Sequence, residues 1–441
     1  MKTPDFTPSA YGHSAPAHGI TNRIFYFLVL ALTVCLGFTT VGSFSTVQEA
    51  AKAELHLSDY QLGLVQGLAP AVPLLLLSIP IGLATDRRRR VTLLLFLAVA
   101  CVIGTFLTGV ANGFAALFVA RMLTAIGMTG ALTVTSSLSA DMCRPVERGR
   151  ASLLIQFGKT LGQGAAFFLV GALFVMFSGY VASAGIGGLS PWRATHLALA
   201  ALGCAIIVPV LFLREPERHE SMGRNRSRRA LLADLASRKT FLLPLFVGEL
   251  GIIMVDMAAS IWAAPVLSRR FGLQPGDFAG WMGLLFFASG ALGTILGGLA
   301  VDMGLKKAWG GRGVLGGAVI AAAIGVPAAL FPIAPSPFAF AVALAVLMLS
   351  GAVAGVVMAA SFILFLPNEL RGLCTGAFMS FAGLIAFGVT PTLVVFCSQL
   401  LGGESHLDQG LAIIGTIVGV TGLAGFGMAF RRAPVPIGGE K

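Results

Sequence analysis

The chain has 441 residues, of which 56% are hydrophobic and only 11% are charged, and its mean hydropathy is +0.88. Because soluble domains carry about 25% charged residues, this composition excludes an ordinary water-soluble protein. A net charge of +11 would suggest nucleic-acid binding in a soluble chain, but in a membrane protein such an excess usually lies in cytoplasmic loops. We therefore expect a membrane protein with no nucleic-acid partner.

Apolar stretches long enough to cross a bilayer occur twelve times, in two sets of six. Predicted helices one to six span roughly 24–48, 60–85, 91–111, 114–140, 150–178 and 193–213. Predicted helices seven to twelve span roughly 240–267, 277–303, 312–332, 337–366, 371–401 and 409–430. The predicted domains are a cytoplasmic tail at 1–23, a six-helix bundle at 24–213, a basic cytoplasmic linker at 214–239, a second bundle at 240–431 and a tail at 432–441.

The thirty lysines and arginines are distributed unequally across this arrangement. If the N-terminus is cytoplasmic, 24 of them lie in cytoplasmic segments, four lie on the opposite side, and two, Arg121 and Lys159, lie within helices. Cytoplasmic loops of membrane proteins are enriched in cations. We therefore predict a multi-pass protein of the inner membrane with both termini in the cytoplasm.

Two short sequences recur at matching positions of the two sets. GLATD at 82–86 ends the second helix and recurs as GLAVD at 298–302, which is 216 residues later and ends the eighth helix. PVERG at 145–149, before helix five, resembles PNELRG at 367–372, before helix eleven. These recurrences indicate two parallel six-helix repeats, an architecture known among secondary transporters.

Two motifs resemble those of the major facilitator superfamily. GLATDRRRR at 82–90 is similar to its loop motif G-x-x-x-D-R-x-G-R, with Arg89 where the second glycine is usual. RMLTAIG at 121–127 is similar to its fourth-helix arginine motif. The resemblance covers essentially the whole chain and implies an all-α integral membrane transporter of twelve helices. No phosphate-binding loop, hydrolase motif or metal-ligand spacing is present, so we expect no enzyme activity, no cofactor and no metal.

Three further segments are similar to the spinster-like lipid transporter branch: LSDYQLGL at 57–64, RGRA at 148–151 and GVTPTL at 388–393. Two features depart from that branch. Its helix-one Asp-Arg pair is replaced by Thr40 and Val41, and its helix-four glutamate is replaced by Met128. The resemblance implicates the missing residues in proton coupling. Either this chain couples through other groups or it is not driven by protons.

Lys159 lies nine residues into predicted helix five, near the bilayer midplane at about 1.5 Å per residue. Gln156 and Gln163 share its helical face. Ionisable groups inside a membrane cost at least about 2.5–3.5 kcal/mol and mark functional positions by default. The polar strip suits an anionic head group or carboxylate, and the alternative is a structural ion pair.

Predicted helix seven carries Glu249 and Asp256, whose seven-residue separation places them on one face. Glu249 lies at a depth similar to that of Lys159. It is a candidate proton carrier, or a partner of Lys159 in a gate between the two bundles. The alternative is that one acid only neutralises a neighbouring helix.

Arg121 lies about two turns inside predicted helix four. The resemblance ties it to coupling or to organising the backbone near helix one, while packing and substrate contact remain open. By the same resemblance, a cytoplasmic set of residues holds one state of the transport cycle closed. This gating set is Gly82, Asp86, Arg87, Arg90, Asp141, Arg150 and Asp302.

The sequence thus predicts a monomeric secondary transporter that moves an amphipathic organic anion, such as a lysolipid, by alternating access. A proton-coupled drug exporter or small-carboxylate symporter is the alternative within transport. A non-transporting membrane receptor is the alternative outside it. The expected partners are a small-molecule or lipid-like substrate, protons and membrane lipids.

Overall fold

The structure is a computed structural model that describes residues 20–143, 148–184, 189–216, 228–306 and 311–434. Twelve helices in this part of the chain are long and apolar enough to cross a membrane, which confirms the predicted fold class. The first six are α1 (Arg23–Leu55), α2 (Asp59–Arg87), α3 (Arg90–Val110), α4 (Phe114–Met142), α5 (Ala151–Tyr180) and α6 (Pro191–Val210). The second six are α7 (Lys239–Phe271), α8 (Pro275–Lys306), α9 (Gly311–Ile333), α10 (Pro337–Phe365), α11 (Leu370–Leu400) and α12 (Glu404–Arg431).

An even number of crossings places both described ends of the chain on one face of the molecule, here named the terminal face. The opposite face is named the far face, and the helix sets α1–α6 and α7–α12 are named the N-terminal and C-terminal halves. A short helix, Arg228–Ser237, precedes α7 within the predicted linker. Most of the two predicted tails and the predicted motif at 145–147 lie outside the described residues.

Helix α1 is longer than its apolar run predicts. The run ends at 48, but the helix continues to Leu55 and carries Glu49, Lys52 and Glu54 in its last two turns. Each of these three side chains forms an ion pair with a neighbouring segment. Because hydropathy detects only the apolar part of a helix, it ends this one too early.

Helix packing repeats between the halves with an offset of six helices. In the N-terminal half α1 packs on α5, α3 on α4, α2 on α4 and α3 on α6. In the C-terminal half α7 packs on α11, α9 on α10, α8 on α10 and α9 on α12. The same set of neighbours occurs in both halves, which confirms the repeat inferred from the recurring sequences.

The helix pairs that join the halves include α1 with α7, α2 with α11, and α5 with α8. The α5–α8 crossing depends on glycine. A Cβ on Gly283 would lie 2.6 Å from the carbonyl oxygen of Gly164, and a Cβ on Gly164 would lie 2.8 Å from the carbonyl oxygen of Gly283. Only hydrogen atoms fit between the two backbones, so a larger side chain at either position would separate the halves.

Helices α2 and α11 each contain a π-helical turn, at Leu64–Leu68 and at Gly383–Val389. The two wide turns contact each other, and a Cβ on Gly67 would lie 2.6 Å from the carbonyl oxygen of Phe387. Single π-helical turns within α-helices occur frequently at functional sites. Here they mark one of the contacts between the halves.

The contacts between the halves lie toward the far face. Gly63 and Leu74 of α2 approach α11, at Thr392 and Gly383 respectively. Nearer the terminal face, Gly82 of α2 has no neighbouring heavy atom of the described residues within 4 Å of a Cβ position. Within the part of the chain that is described, the halves meet at the far face and diverge toward the terminal face.

Candidate functional site

Arg121 on α4 is buried against the backbone of α1. Its Nη1 donates to the Thr40 carbonyl at 3.0 Å, and its Nη2 donates to the Val41 carbonyl and, at 3.2 Å, to the side-chain oxygen of Gln66. The guanidinium also lies 5.6 Å from the ring centre of Phe44. Among the roles that the sequence leaves open, organisation of the helix-one backbone has direct contacts here. Its two carbonyl acceptors belong to the residues that replace the Asp-Arg pair.

His196 on α6 is a fully buried polar residue that the sequence analysis missed. Its Nε2 lies 3.3 Å from the Ser43 hydroxyl, and its Nδ1 lies 2.9 Å from the Trp192 carbonyl. Ser43 in turn donates to the Thr40 carbonyl at 2.8 Å, so His196 and Arg121 meet the same turn of α1. A histidine within an apolar helix was the signal that could have identified it.

Lys159 on α5 is half-buried, and its ammonium lies 5.7 Å from the ring centre of Phe38 on α1. The α5 residues Gly158 and Gly162 pack on α1, whereas Thr160 packs on α8. The helical positions of Lys159, Gln156 and Gln163 fall between these two packed faces. Since α1 and α8 belong to different halves, the polar strip lies at the boundary between the halves.

Glu249 and Asp256 lie on the face of α7 that contacts α10, opposite two glycines. A Cβ on Gly351 would lie 2.1 Å from the Asp256 Oδ2 atom, and a Cβ on Gly355 would lie 3.5 Å from the Glu249 Oε1 atom. The other oxygen of each carboxyl is buried without a hydrogen-bond partner among the described residues. Both acids are therefore close to α10 and incompletely hydrogen-bonded.

The predicted ion pair between Lys159 and Glu249 is not formed. In the part of the chain that the structure describes, Lys159 has no ion pair with Glu249 or Asp256, although its charge acts on both carboxyls. Pair formation depends on small differences in helix rotation, which residue spacing does not determine. The three groups form a loose charge cluster across the boundary between the halves.

A small cavity of about 10 Å³ adjoins Asp256 between α7, α9, α10 and α12. Its lining includes Ser350, Gly351 and Gly419. A volume of about 10–15 Å³ on this measure corresponds to one water molecule. The space beside the Asp256 carboxyl is therefore of the size of a single water.

Five charged residues at the far face form an ion-pair cluster that the sequence analysis did not predict. Arg269 of α7 contacts Glu49 of α1 at 2.8 Å and Asp59 of α2 at 2.6 Å. Lys52 of α1 contacts Asp59 at 2.6 Å and also pairs with Glu404 at the start of α12. The Glu404 carboxylate accepts the Asp59 backbone N–H at 2.9 Å. We name these residues the far-face cluster, and they join the two halves.

Asp59 is the centre of the far-face cluster. It is completely buried and accepts hydrogen bonds from one cation of each half, Arg269 and Lys52. Removing a partner from a buried ion pair leaves an uncompensated charge at substantial cost. The sequence contained a signal for the far-face cluster, because Lys52 and Arg269 are two of only four cations assigned to the far face.

The family model of the Major Facilitator Superfamily matches residues 28–379. The chain belongs to the Major Facilitator Superfamily. It is accordingly a membrane transporter rather than an enzyme. No curated protein sequence matches it significantly.

Solved structures of this superfamily share its fold. A bacterial homolog of the human lysosomal transporter Spinster, in an inward-facing and unoccupied conformation, has a TM-score of 0.78, 22% identity, and coverage of 94% of this chain and 97% of its own. Its inward-facing and occupied form has a TM-score of 0.77 and 22% identity, and the match covers 94% of this chain and 98% of that one. The nucleoside transporter NupG has a TM-score of 0.66 and 12% identity, and the match covers 93% of this chain and 99% of that one. The resemblance to the spinster-like branch is thereby confirmed for the fold.

In this facilitator, two members of the gating set predicted at the terminal face, Arg90 and Asp141, form an ion pair. Arg90 pairs with Asp141 on α4 and with Glu215, which follows α6, at 3.0 Å. Asp86, Arg87 and Asp302 are exposed, and the side chain of Arg150 lies outside the described residues. The structure therefore brings Arg90 and Asp141 together.

Glu215 is a further partner of Arg90 that the sequence analysis missed. Burial alone would raise the pKa of the Glu215 carboxyl, but hydrogen bonds from the Val91 amide and the Arg90 side chain outweigh it, so the pKa lies below its usual value. The carboxylate is therefore charged at neutral pH, and it anchors the segment after α6 to the start of α3.

Proposed function

We propose that this facilitator moves an amphipathic organic anion, such as a lysolipid, between the two halves by alternating access. The observation that carries the proposal is Lys159, a half-buried cation at the boundary between the halves that lacks an ion-pair partner in the described residues. A charged group at such a depth is costly unless a counter-charge is supplied. The anionic group of the substrate would supply it.

The surroundings of Lys159 support an amphipathic ligand. Gln156 and Gln163 offer amide groups along the same strip, and the Phe38 ring beside the ammonium offers an apolar surface. One fold neighbour is a homolog of the lysosomal transporter Spinster, and the spinster-like motifs add the lipid-like part of the proposal. Another fold neighbour is a nucleoside transporter, so nucleosides belong among the compounds to be tested.

Orientation follows from the distribution of cations. The terminal face includes Arg90, Arg238 and Arg371, whereas few cations lie at the far face. Since cytoplasmic loops are enriched in lysine and arginine, we place the terminal face in the cytoplasm of a cell with an inner membrane. The rocking units would be 24–213 and 240–431, acting within a single chain.

Lys159→Ala is expected to reduce substrate binding and uptake by about tenfold to a hundredfold, because a charge-assisted contact contributes roughly 1.5–3 kcal/mol. Ligand-induced thermal shifts across lysolipids, carboxylates, drugs and nucleosides would identify the ligand, and uptake into proteoliposomes would follow. Lys306→Ala, which removes an exposed lysine at the end of α8, is the matched control. Undiminished binding by Lys159→Ala would contradict the anion site.

A proton-coupled exporter or symporter is the second candidate, favoured by the buried Glu249 carboxyl and its unpartnered Oε2 atom. Glu249→Gln is then expected to abolish transport driven by a pH gradient, while exchange of substrate at equal pH persists. Asp277→Asn, at an exposed carboxylate near the start of α8, is the matched control. Full gradient-driven transport by Glu249→Gln would exclude Glu249 as the proton carrier.

A receptor on the same fold would bind ligand without moving it. Counterflow of the identified ligand in proteoliposomes distinguishes the two, because only a transporter exchanges internal for external ligand.

A further inference from the structure

A continuous series of side-chain hydrogen bonds connects Arg121 with the opposite half of the molecule. The Arg121 Nη2 donates to the Gln66 Oε1 atom at 3.2 Å, and the Gln66 Nε2 donates to the Gln48 Oε1 atom at 3.0 Å. The Gln48 Nε2 donates to the Ile261 carbonyl on α7 at 2.7 Å. Three successive bonds thus join α4, α2 and α1 of the N-terminal half to α7 of the C-terminal half.

The two ends of this series determine its direction. A guanidinium can only donate hydrogen bonds and a backbone carbonyl can only accept them. Gln66 must therefore direct its oxygen toward Arg121 and its nitrogen toward Gln48, and Gln48 must direct its nitrogen toward Ile261. Reversing either amide would place two donors or two acceptors against each other, so the orientation of one amide fixes that of the next.

Both glutamines are buried, Gln48 completely and Gln66 to all but 4%. A buried amide that loses its partner incurs the full desolvation cost of the unpaired group. The Ile261 carbonyl belongs to the other half and moves away from Gln48 if the halves separate at the far face. The series is therefore complete only while that face is closed.

We propose that Gln66 and Gln48 are positioning residues that couple the hydrogen bonding of Arg121 to closure of the far face. The proposal rests on alternating access and does not depend on the identity of the substrate. A change in the hydrogen-bond partners of Arg121 alters the orientation of the Gln66 amide, and the Gln66 amide in turn determines the orientation of the Gln48 amide. The free energy of the hydrogen bond from Gln48 to the Ile261 carbonyl on α7 therefore changes as well. Coupling of this kind is reciprocal, so closure of the far face also fixes the partners of Arg121.

The wide turn of α2 supports this role. Gln66 is the middle residue of the π-helical turn Leu64–Leu68, and its Nε2 also donates to the Ser45 hydroxyl at 3.0 Å. A π-helical turn changes the direction in which the following side chains project relative to a regular α-helix. The turn presents Gln66 to both Arg121 and α1.

The test compares Gln66→Glu with Gln66→Leu. The introduced carboxylate has nearly the same shape as the amide and still accepts from Arg121, but it cannot donate to Gln48. If Gln66 only fills space, Gln66→Glu resembles the wild type and only Gln66→Leu differs. If the series couples Arg121 to closure, both variants favour the open far face by about tenfold, the effect of roughly one buried hydrogen bond.

The readout is the distance between noncanonical spin-labelled residues placed at Asn112 and Pro335, which are exposed at the far ends of the two halves. It is measured in lipid nanodiscs, with and without the background change Arg269→Leu, which weakens the far-face cluster so that both states are populated. Gln48→Leu, alone and combined with Gln66→Leu, completes a double-mutant cycle. The double variant is expected to favour the open far face by no more than about tenfold, as each single variant does, because either change alone already interrupts the series of hydrogen bonds.

The possible outcomes separate the two proposals. If Arg269→Leu lengthens the label distance but Gln66→Glu adds nothing, or if the two glutamine changes add, the coupling is wrong and alternating access stands. If neither Arg269→Leu nor any glutamine change alters the distance, the halves do not separate at the far face, and the proposed transport cycle fails together with the coupling.

Discussion

Replacing Arg269 by leucine is expected to raise the proportion of molecules in which the far face is open. The side chain is 22% exposed and makes bidentate contacts with both Glu49 and Asp59. Its removal leaves the fully buried Asp59 with Lys52 as its remaining side-chain cation. Breaking a buried ion pair costs about 3–5 kcal/mol, which partial exposure and the remaining lysine reduce to about 2 kcal/mol, or roughly thirtyfold in the ratio of open to closed states.

Arg270 provides a closely matched control because it is the adjacent arginine on the same helix. It pairs with Asp408 of α12 at 2.6 Å and donates to the Pro332 carbonyl, and these contacts lie within the C-terminal half. Arg270→Leu removes the same charge without breaking a contact between the halves. Label distances across the far face should therefore lengthen for Arg269→Leu and stay as in the wild type for Arg270→Leu. Equal responses of the two variants would show that net charge, and not the far-face cluster, controls closure.

Gly283→Leu is expected to prevent closure of the far face by steric exclusion. A Cβ at this position lies 2.6 Å from the Gly164 carbonyl oxygen and 2.7 Å from the Phe168 backbone nitrogen. Backbone atoms cannot rotate away as a side chain can, so α5 and α8 must move apart. Overpacking of this kind costs about 1–3 kcal/mol, and a leucine that meets backbone atoms on two sides should cost about 3 kcal/mol. This cost lowers the population of the closed state by more than about a hundredfold.

Gly280 lies one turn earlier on α8, and its Cβ position has no neighbouring heavy atom of the described residues within 4 Å. Gly280→Leu adds the same side chain to the same helix and should leave both the label distance and the melting temperature unchanged. Uptake should be lost in Gly283→Leu, since a transporter that cannot close one face cannot complete its cycle. Normal uptake and an unchanged label distance in Gly283→Leu would contradict the α5–α8 crossing.

The sequence predicted the twelve helices well because the bilayer itself imposes the pattern. A span needs about 20 apolar residues, so each helix is visible in hydropathy. The charged extension of α1 beyond residue 48 was missed for the same reason, since Glu49 and Lys52 are held by partners rather than by apolar surroundings. Repeated motifs also predicted the repeat of helix packing, because each copy of the duplicated unit retains its own neighbours.

Single charges within apolar helices were also predictable, and Arg121, Lys159 and Glu249 were found in this way. Their mutual geometry was not, because an ion pair across two halves depends on helix rotation and on distances of a few ångströms. The far-face cluster was missed since its members come from segments more than 200 residues apart, such as Asp59 and Arg269. Gln48 and Gln66 were missed because an isolated amide in a sequence does not reveal whether it is buried or where it donates.

The wide turns of α2 and α11 have a consequence for the symmetry of the molecule. Under the six-helix repeat, α2 corresponds to α8 and α11 corresponds to α5, and neither of these counterparts contains a π-helical turn among its described residues. A π-helical turn holds one residue more than the α-helical turn it replaces. A structural alignment of the two halves therefore requires a one-residue gap in each of these helix pairs, and the contact between Leu64–Leu68 and Gly383–Val389 is formed by the two segments in which the repeats differ.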